Sequence, residues 1–183
     1  AKAVSYYRLA ADANIMEAQY QLAKIISGKG ASKADINEAI ILFDKAAQQG
    51  DARSQLVLGI YYDEGSVIPA DKHRAEDYLI MAAKQGVEAA QFRLAQMYDS
   101  GAIKDKASVD ALPFYEMAAK QGHVGAHYFL ARLYDAGRGT AQNHKLAVRY
   151  YQLPAEKLYL DANWRLGVLA REGLGMAPNV QEM

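Results

Sequence analysis

Ala3, Ala39, Ala75, Ala111 and Ala147 stand 36 residues apart, and the same offset aligns Ala11, Ala47, Ala83, Ala119 and Ala155. It also aligns Leu22, Leu58, Leu94, Leu130 and Leu166, each followed by a tiny residue: Ala23, Gly59, Ala95, Ala131 and Gly167. No insertion or deletion breaks the register. Self-similarity at a fixed period of this size marks a stack of supersecondary units, none of which can bury its apolar face alone.

Each period carries two helical patterns. In the first, Ala90, Leu94, Met97 and Tyr98 fall at helical spacing ahead of Gly101. The second runs from about residue 107 through Ala111, Tyr115, Ala118 and Ala119 and stops at Gly122. Gly50, Gly86 and Gly122 each follow two polar residues, where a glycine in the left-handed conformation closes a helix. Nothing alternates with period two, so no strands are expected. Small residues on facing helices let two backbones approach closely, with the column leucine filling the adjoining gap. The expected fold is therefore all-α, a solenoid of antiparallel helix pairs sharing one continuous core. Ten helices and a short non-helical tail are expected, first helices lining an inner wall and second helices lying outside.

The register divides the chain into a half repeat at 1–14, repeats at about 15–50, 51–86, 87–122 and 123–158, and a partial repeat at 159–183. The chain opens inside a second helix and closes on the same column, and neither end carries a polar capping helix. It reads as one repeat array, a stretch of a longer solenoid. The final repeat departs from the pattern: Pro154 replaces a column alanine and Leu158 stands where Gly50, Gly86 and Gly122 stand elsewhere. A proline there is expected to end or kink its helix near Leu153, leaving it short.

The strings AQYQLA at 18–23, AQFRLAQMYDSG at 90–101 and AHYFLARLYDAGRG at 126–139 carry a family resemblance. So does the downstream pattern A-x-x-x-[Y/F]-x-x-A-A-x-x-G. They resemble the Sel1-like branch of the tetratricopeptide repeats, across essentially the whole chain. The resemblance implies a right-handed α-solenoid and a non-catalytic scaffold or adaptor that binds another protein. Relatives of this kind include bacterial periplasmic and secreted proteins that support host-cell entry, polysaccharide export or cell-wall assembly, and eukaryotic adaptors in protein quality control. The compartment stays open, with the resemblance leaning to a bacterial periplasmic or secreted setting. An alternative is a glycan- or peptidoglycan-associated module supporting a cell-wall enzyme; a helical-repeat RNA reader is a further one.

Composition narrows these readings. Lys+Arg and Asp+Glu balance at 21 each, so no overall field attracts a polyanion, and nucleic acid is not expected as a partner. There is no cysteine, which excludes disulfides and thiolate chemistry. No apolar run is long enough to cross a membrane. No catalytic residue, metal ligand set or cofactor is expected. His123 and His127 share a helical face, but His127 occupies the column of Gln19, Gln55, Gln91 and Asn163, so it reads as a replaced structural amide. Those amides are expected to bond to backbone at the turns. Asp63, Asp99 and Asp135 recur once per repeat, too far apart for a paired acid and base, and read as solvated or capping. Gly137-Arg138-Gly139 lacks the strand and the Lys-Ser/Thr pair of a phosphate loop.

One column is a candidate for binding. Tyr20, Leu56, Phe92, Tyr128 and Trp164 align, and by analogy with tetratricopeptide geometry face the inner groove. One turn on, Lys24, Ile60, Gln96, Arg132 and Val168 vary freely in chemistry, as positions released from packing do. Aromatics and arginine dominate interface hot spots. The expected partner-binding residues are Tyr20, Lys24, Ile60, Phe92, Gln96, Tyr128, Arg132 and Trp164, centred on Phe92, Gln96, Tyr128 and Arg132. The competing reading is that the aromatic column packs between repeats.

Overall fold

In the computed structural model, which describes residues 2–176, the leucine column lies in the interior: Leu22 and Leu58 are 1% exposed, Leu94 and Leu130 0%. The tiny column beside it is closed as tightly, with Ala23, Ala95 and Ala131 at 0%. Where that column carries Gly59, a β-carbon would come within 2.7 Å of Leu79 Cγ, so the next helix occupies the space an alanine would need. In the last copy Leu166 is half-buried and Gly167 exposed.

The described residues form ten helices and no strand. These are α1 (Lys2–Asp12), α2 (Met16–Ile26), α3 (Lys33–Gln48), α4 (Ala52–Glu64), α5 (Lys72–Lys84), α6 (Glu88–Asp99), α7 (Ser108–Lys120), α8 (Val124–Ala136), α9 (His144–Glu156) and α10 (Leu160–Arg171). The tail expected after α10 falls largely on residues 177–183, outside the described residues. Two compact units divide the chain, 1–90 and 91–183. In the first, α1 to α5 pack in succession, each on its neighbour within the unit, around Leu22, Ala39, Phe43, Ala47 and Leu58. In the second, α7 to α10 do the same, around Ala131, Ala147, Tyr151, Ala162 and Leu169.

Helix starts follow from capping chemistry. Ser32, Asp51, Asp71, His123 and Asn143 each accept a backbone N–H of the first turn with a side-chain atom. Helix ends repeat one motif. The N–H groups of Ile15, Asp51, Val87, His123 and Tyr159 donate to the carbonyls of Ala10, Ala46, Ala82, Ala118 and Pro154, at 3.0 to 3.1 Å. This six-to-one bond closes the helix around a residue in the left-handed conformation.

That motif explains why Pro154 does not shorten its helix. α9 runs His144–Glu156, 13 residues, as long as α5 and α7. At this position the closing motif uses the carbonyl, which proline keeps, and only one bond of the last turn, to the Tyr150 carbonyl, is forfeited. Pro113 is likewise carried inside α7.

The left-handed position itself is Asn14, Gly50, Gly86, Gly122 and Leu158, and Leu158 adopts φ 63° despite its β-carbon. A left-handed non-glycine residue costs roughly 1–2 kcal/mol, and Leu158, 79% exposed, recovers little by burial. Leu158→Gly is therefore expected to stabilise the protein by about 1 kcal/mol, read as a raised urea midpoint; a lowered midpoint would contradict this account of the motif.

Candidate functional site

The aromatic column is half-buried in its first copies, and each ring is covered from the following repeat. In the first unit Tyr20 lies 6.0 Å from Phe43, and the Arg53 guanidinium sits 4.0 Å above its ring. Arg53 is held there by Glu17 at 2.5 Å and Asp51 at 2.5 Å. Lys24 is exposed on the same helix, and Ile60 is half-buried on α4.

In the second unit Phe92 stacks on His123 at 4.0 Å, with Tyr115 and Phe129 each 5.9 Å away. Gly125 makes room for it: a β-carbon there would stand 3.0 Å from Phe92 Cζ. Tyr128 lies against Phe129, Tyr151 and Tyr159, and its hydroxyl donates to Asp161 at 3.4 Å. Burial pushes the Tyr128 phenol up, against the opposing pull of Arg132. Arg132 is exposed and holds its guanidinium 5.7 Å from the centres of both the Tyr128 and Phe129 rings. Phe92, Phe129, Tyr128 and Arg132 thus form one connected group, with Gln96 half-buried one turn beyond Phe92. Trp164 is 69% exposed.

The covering residues Arg53, His123 and Tyr159 share almost one place in the register but no chemistry, so no sequence column reveals them. His123 also caps α8 through Nδ1, and His127 Nδ1 lies 3.1 Å from the His123 carbonyl. Among the described residues no group of three His, Cys, Asp or Glu gathers to hold a metal ion.

The amide column does bond to backbone at the turns. Gln55 Nε2 donates to the Ala47 carbonyl at 3.0 Å, and Asn163 Nδ2 to the Ala155 carbonyl at 3.1 Å. Gln19 donates to the Ala11 carbonyl at 3.4 Å and to Asn14 at 2.9 Å. A second set of amides, unremarked in the sequence, completes the pattern. Gln49, Gln85 and Gln121 donate to the Oε1 atoms of Gln19, Gln55 and Gln91 at 2.7, 2.8 and 2.9 Å. The signal was a glutamine directly before each closing glycine.

The aspartate column corrects the expectation of solvated or capping carboxylates. Asp63 and Asp135 are each 7% exposed, and the Asp99 side chain 8%. Each binds the residue nine positions on, across its own loop: Asp63 with Lys72 at 2.6 Å, Asp99 with Ser108 at 2.7 Å, Asp135 with His144 at 3.1 Å. Asp99 also takes Arg138 on both oxygens at 2.7 and 2.8 Å, and Asp135 takes Arg165. Carboxylates this enclosed need such partners, because burial without them costs several kcal/mol.

A repeat-family model matches six successive segments, residues 1–15, 17–51, 52–87, 88–123, 124–157 and 160–182, as Sel1 repeats. The chain belongs to the Sel1-repeat family. Among solved structures, a Sel1-repeat protein from Oxalobacter formigenes is 34% identical, with TM-score 0.77 over 98% of this chain and 74% of that one. A protective antigen of uropathogenic Escherichia coli strains is 27% identical with TM-score 0.84, over 94% of this chain. This chain spans 37% of the length of that antigen. Helicobacter pylori cysteine-rich protein B shares the fold at TM-score 0.54 and 24% identity, over 76% of this chain and 100% of that one. No curated protein matches. Sel1-repeat proteins generally act as protein-interaction scaffolds and typically carry no catalysis, and Sel1 solenoids are the architecture these ten helices match. No described helix is long and apolar enough to cross a membrane.

For Asp135, burial alone would raise the carboxyl, but Arg165 and His144 hold it below its ordinary value. A depressed carboxylate adds stability above its unfolded pKa, and that stability is lost as pH falls through the folded value. Asp135→Asn is expected to cost about 1–3 kcal/mol at pH 7, with the gap to wild type shrinking below about pH 4. Urea titrations at both pH values check it; a gap that does not shrink in acid would contradict the ion-pair origin.

Proposed function

We propose that this Sel1-repeat chain is a non-catalytic scaffold whose first-helix face, the inner groove of the repeats, holds another protein. One observation carries the reading: Arg132 is exposed, braced over the Tyr128 and Phe129 rings, with no ion-pair partner among the described residues. A guanidinium held in place by aromatic faces loses little freedom on binding and keeps donors for a partner's backbone or side chains. Gln96 adds an amide one turn beyond Phe92, and the half-buried rings of Phe92 and Tyr128 add apolar area. Trp164 extends the same column, and Tyr20, Lys24 and Ile60 occupy equivalent positions in the first unit. The rings serve packing and recognition together: their inner faces are wedged between helices, and their outer edges and Arg132 meet the partner. The division of the chain into a half repeat, four repeats and a partial repeat belongs to this proposal.

The likeness to a protective antigen of uropathogenic Escherichia coli supports reading the chain as part of a bacterial envelope or host-interaction factor. The partner is then an envelope enzyme or a host protein.

Affinity capture with exposed-residue variants tests the face without unfolding it. Arg132→Glu combined with Trp164→Ala is expected to lose the proteins that wild type retains, with melting unchanged within about 2 °C. Capture undiminished by a folded double variant would remove the first-helix face from consideration.

A further inference from the structure

A cavity of about 290 Å³ opens on the second-helix side of the second unit, between α7 and α9 above the start of α8. Glu116, Ala119 and Lys120 line it from α7, His127 from α8, and Arg149 and Tyr150 from α9. Lys120 and Arg149 are exposed, and neither has an ion-pair partner among the described residues. The one carboxylate in the lining, Glu116, accepts from the Tyr134 hydroxyl at 3.2 Å and keeps its charge, so the lining carries two cations against one anion. Tyr134 stacks on Tyr150 at 5.7 Å and 2°, which makes a rigid aromatic wall.

The repeat supplies its own comparison. In the first unit, 72 residues earlier in register, the same groove is framed by Asp44, Ala47, Gln48, Gln55, Asp77 and Tyr78. Its frame is similar: Tyr62 stacks on Tyr78 at 5.9 Å and 3°, and here the other tyrosine of the pair, Tyr78, donates to the carboxylate of Asp44 at 2.6 Å. The rim is not. Gln48 and Asp77 give way to Lys120 and Arg149, so a neutral and an acidic residue are exchanged for two cations. The first-unit groove has a cation in Arg74, but it is committed to the Tyr62 hydroxyl at 3.0 Å and to Asp71 at 3.5 Å. Packing of the repeat explains the tyrosine pair and its carboxylate in both grooves; it does not call for the second unit's free cations.

We propose that the pocket between α7 and α9 is a second docking site, for a carboxylate-bearing segment of an acidic protein partner. An arginine and a lysine facing one cavity suit a carboxylate, with charge-assisted hydrogen bonds from both. The stacked tyrosines bury the methylenes that carry it. Two cations on a chain of zero net charge do not form the phosphate track that a nucleic acid needs, which favours an acidic peptide over RNA. This site is separate from the first-helix face and does not depend on it.

Fluorescence anisotropy with a fluorescein-labelled hexaglutamate peptide, at low salt and on the whole chain, tests the assignment. Wild type is expected to bind. Lys120→Gln/Arg149→Asp, which converts the rim to that of the first unit, is expected to weaken binding at least about tenfold while leaving the far-ultraviolet circular dichroism unchanged. Lys84→Gln, removing an exposed cation elsewhere, is expected to change affinity by less than about twofold. Arg132→Glu/Trp164→Ala is expected to retain hexaglutamate, which separates this site from the first-helix face. No binding by wild type, equal affinity in the rim variant, or tighter binding of a labelled hexauridylate would each overturn the proposal.

Discussion

Gln55 carries its amide into a space almost closed to water, where Nε2 donates to the Ala47 carbonyl at 3.0 Å and Oε1 accepts from Gln85 at 2.8 Å. One side chain thereby ties the end of the preceding repeat to its own helix, and its own helix to the end of its partner helix in the same repeat. A buried amide left unpartnered costs about 1–3 kcal/mol, so the stack holds its register where both bonds are made. Gln19 with Gln49 and Gln91 with Gln121 repeat the link. The tiny columns and the leucines provide the apolar area, but apolar contact alone tolerates sliding; the amide pairs admit one relative position of the two helices within a repeat.

The faces available for function follow from that placement. Once helix ends are pinned by amides and loops by Asp63, Asp99 and Asp135, the residues between them are free to differ from copy to copy. Lys24, Ile60, Gln96 and Arg132 differ on the first helices, and Gln48, Lys120, Asp77 and Arg149 on the second helices. A repeat protein holds its core constant and varies its rims, and both proposed sites lie at positions that break the period. The break at His127 is the same principle at the core: the ring lies on the His123 carbonyl at 3.1 Å and lines the basic cavity.

Much of the fold was legible because translation along a stack demands the same chemistry at each step. Alanine, leucine and tiny-residue columns state that demand directly, and the helices and their ends follow. The misreadings have physical causes. Pro154 looked like a helix breaker because proline lacks an N–H, yet the closing motif at that position uses the carbonyl. The aspartates looked solvated because a carboxylate column does not show its partners, and Lys72, Ser108 and His144 satisfy the same need with three different donors. The coverings over Tyr20, Phe92 and Tyr128 were invisible for the same reason. The second set of glutamines was in plain register, but an exposed glutamine before a glycine carries no sign that it reaches a buried one 30 residues earlier.

The amide link is measured most directly by a double-mutant cycle on Gln55→Ala and Gln85→Ala, using urea unfolding of each single variant and the double. If the two helices of a repeat are registered through this pair, the two substitutions couple by about 1 kcal/mol. Effects that add to within roughly 0.3 kcal/mol would show that the pair carries no shared energy, and that apolar packing alone sets the register.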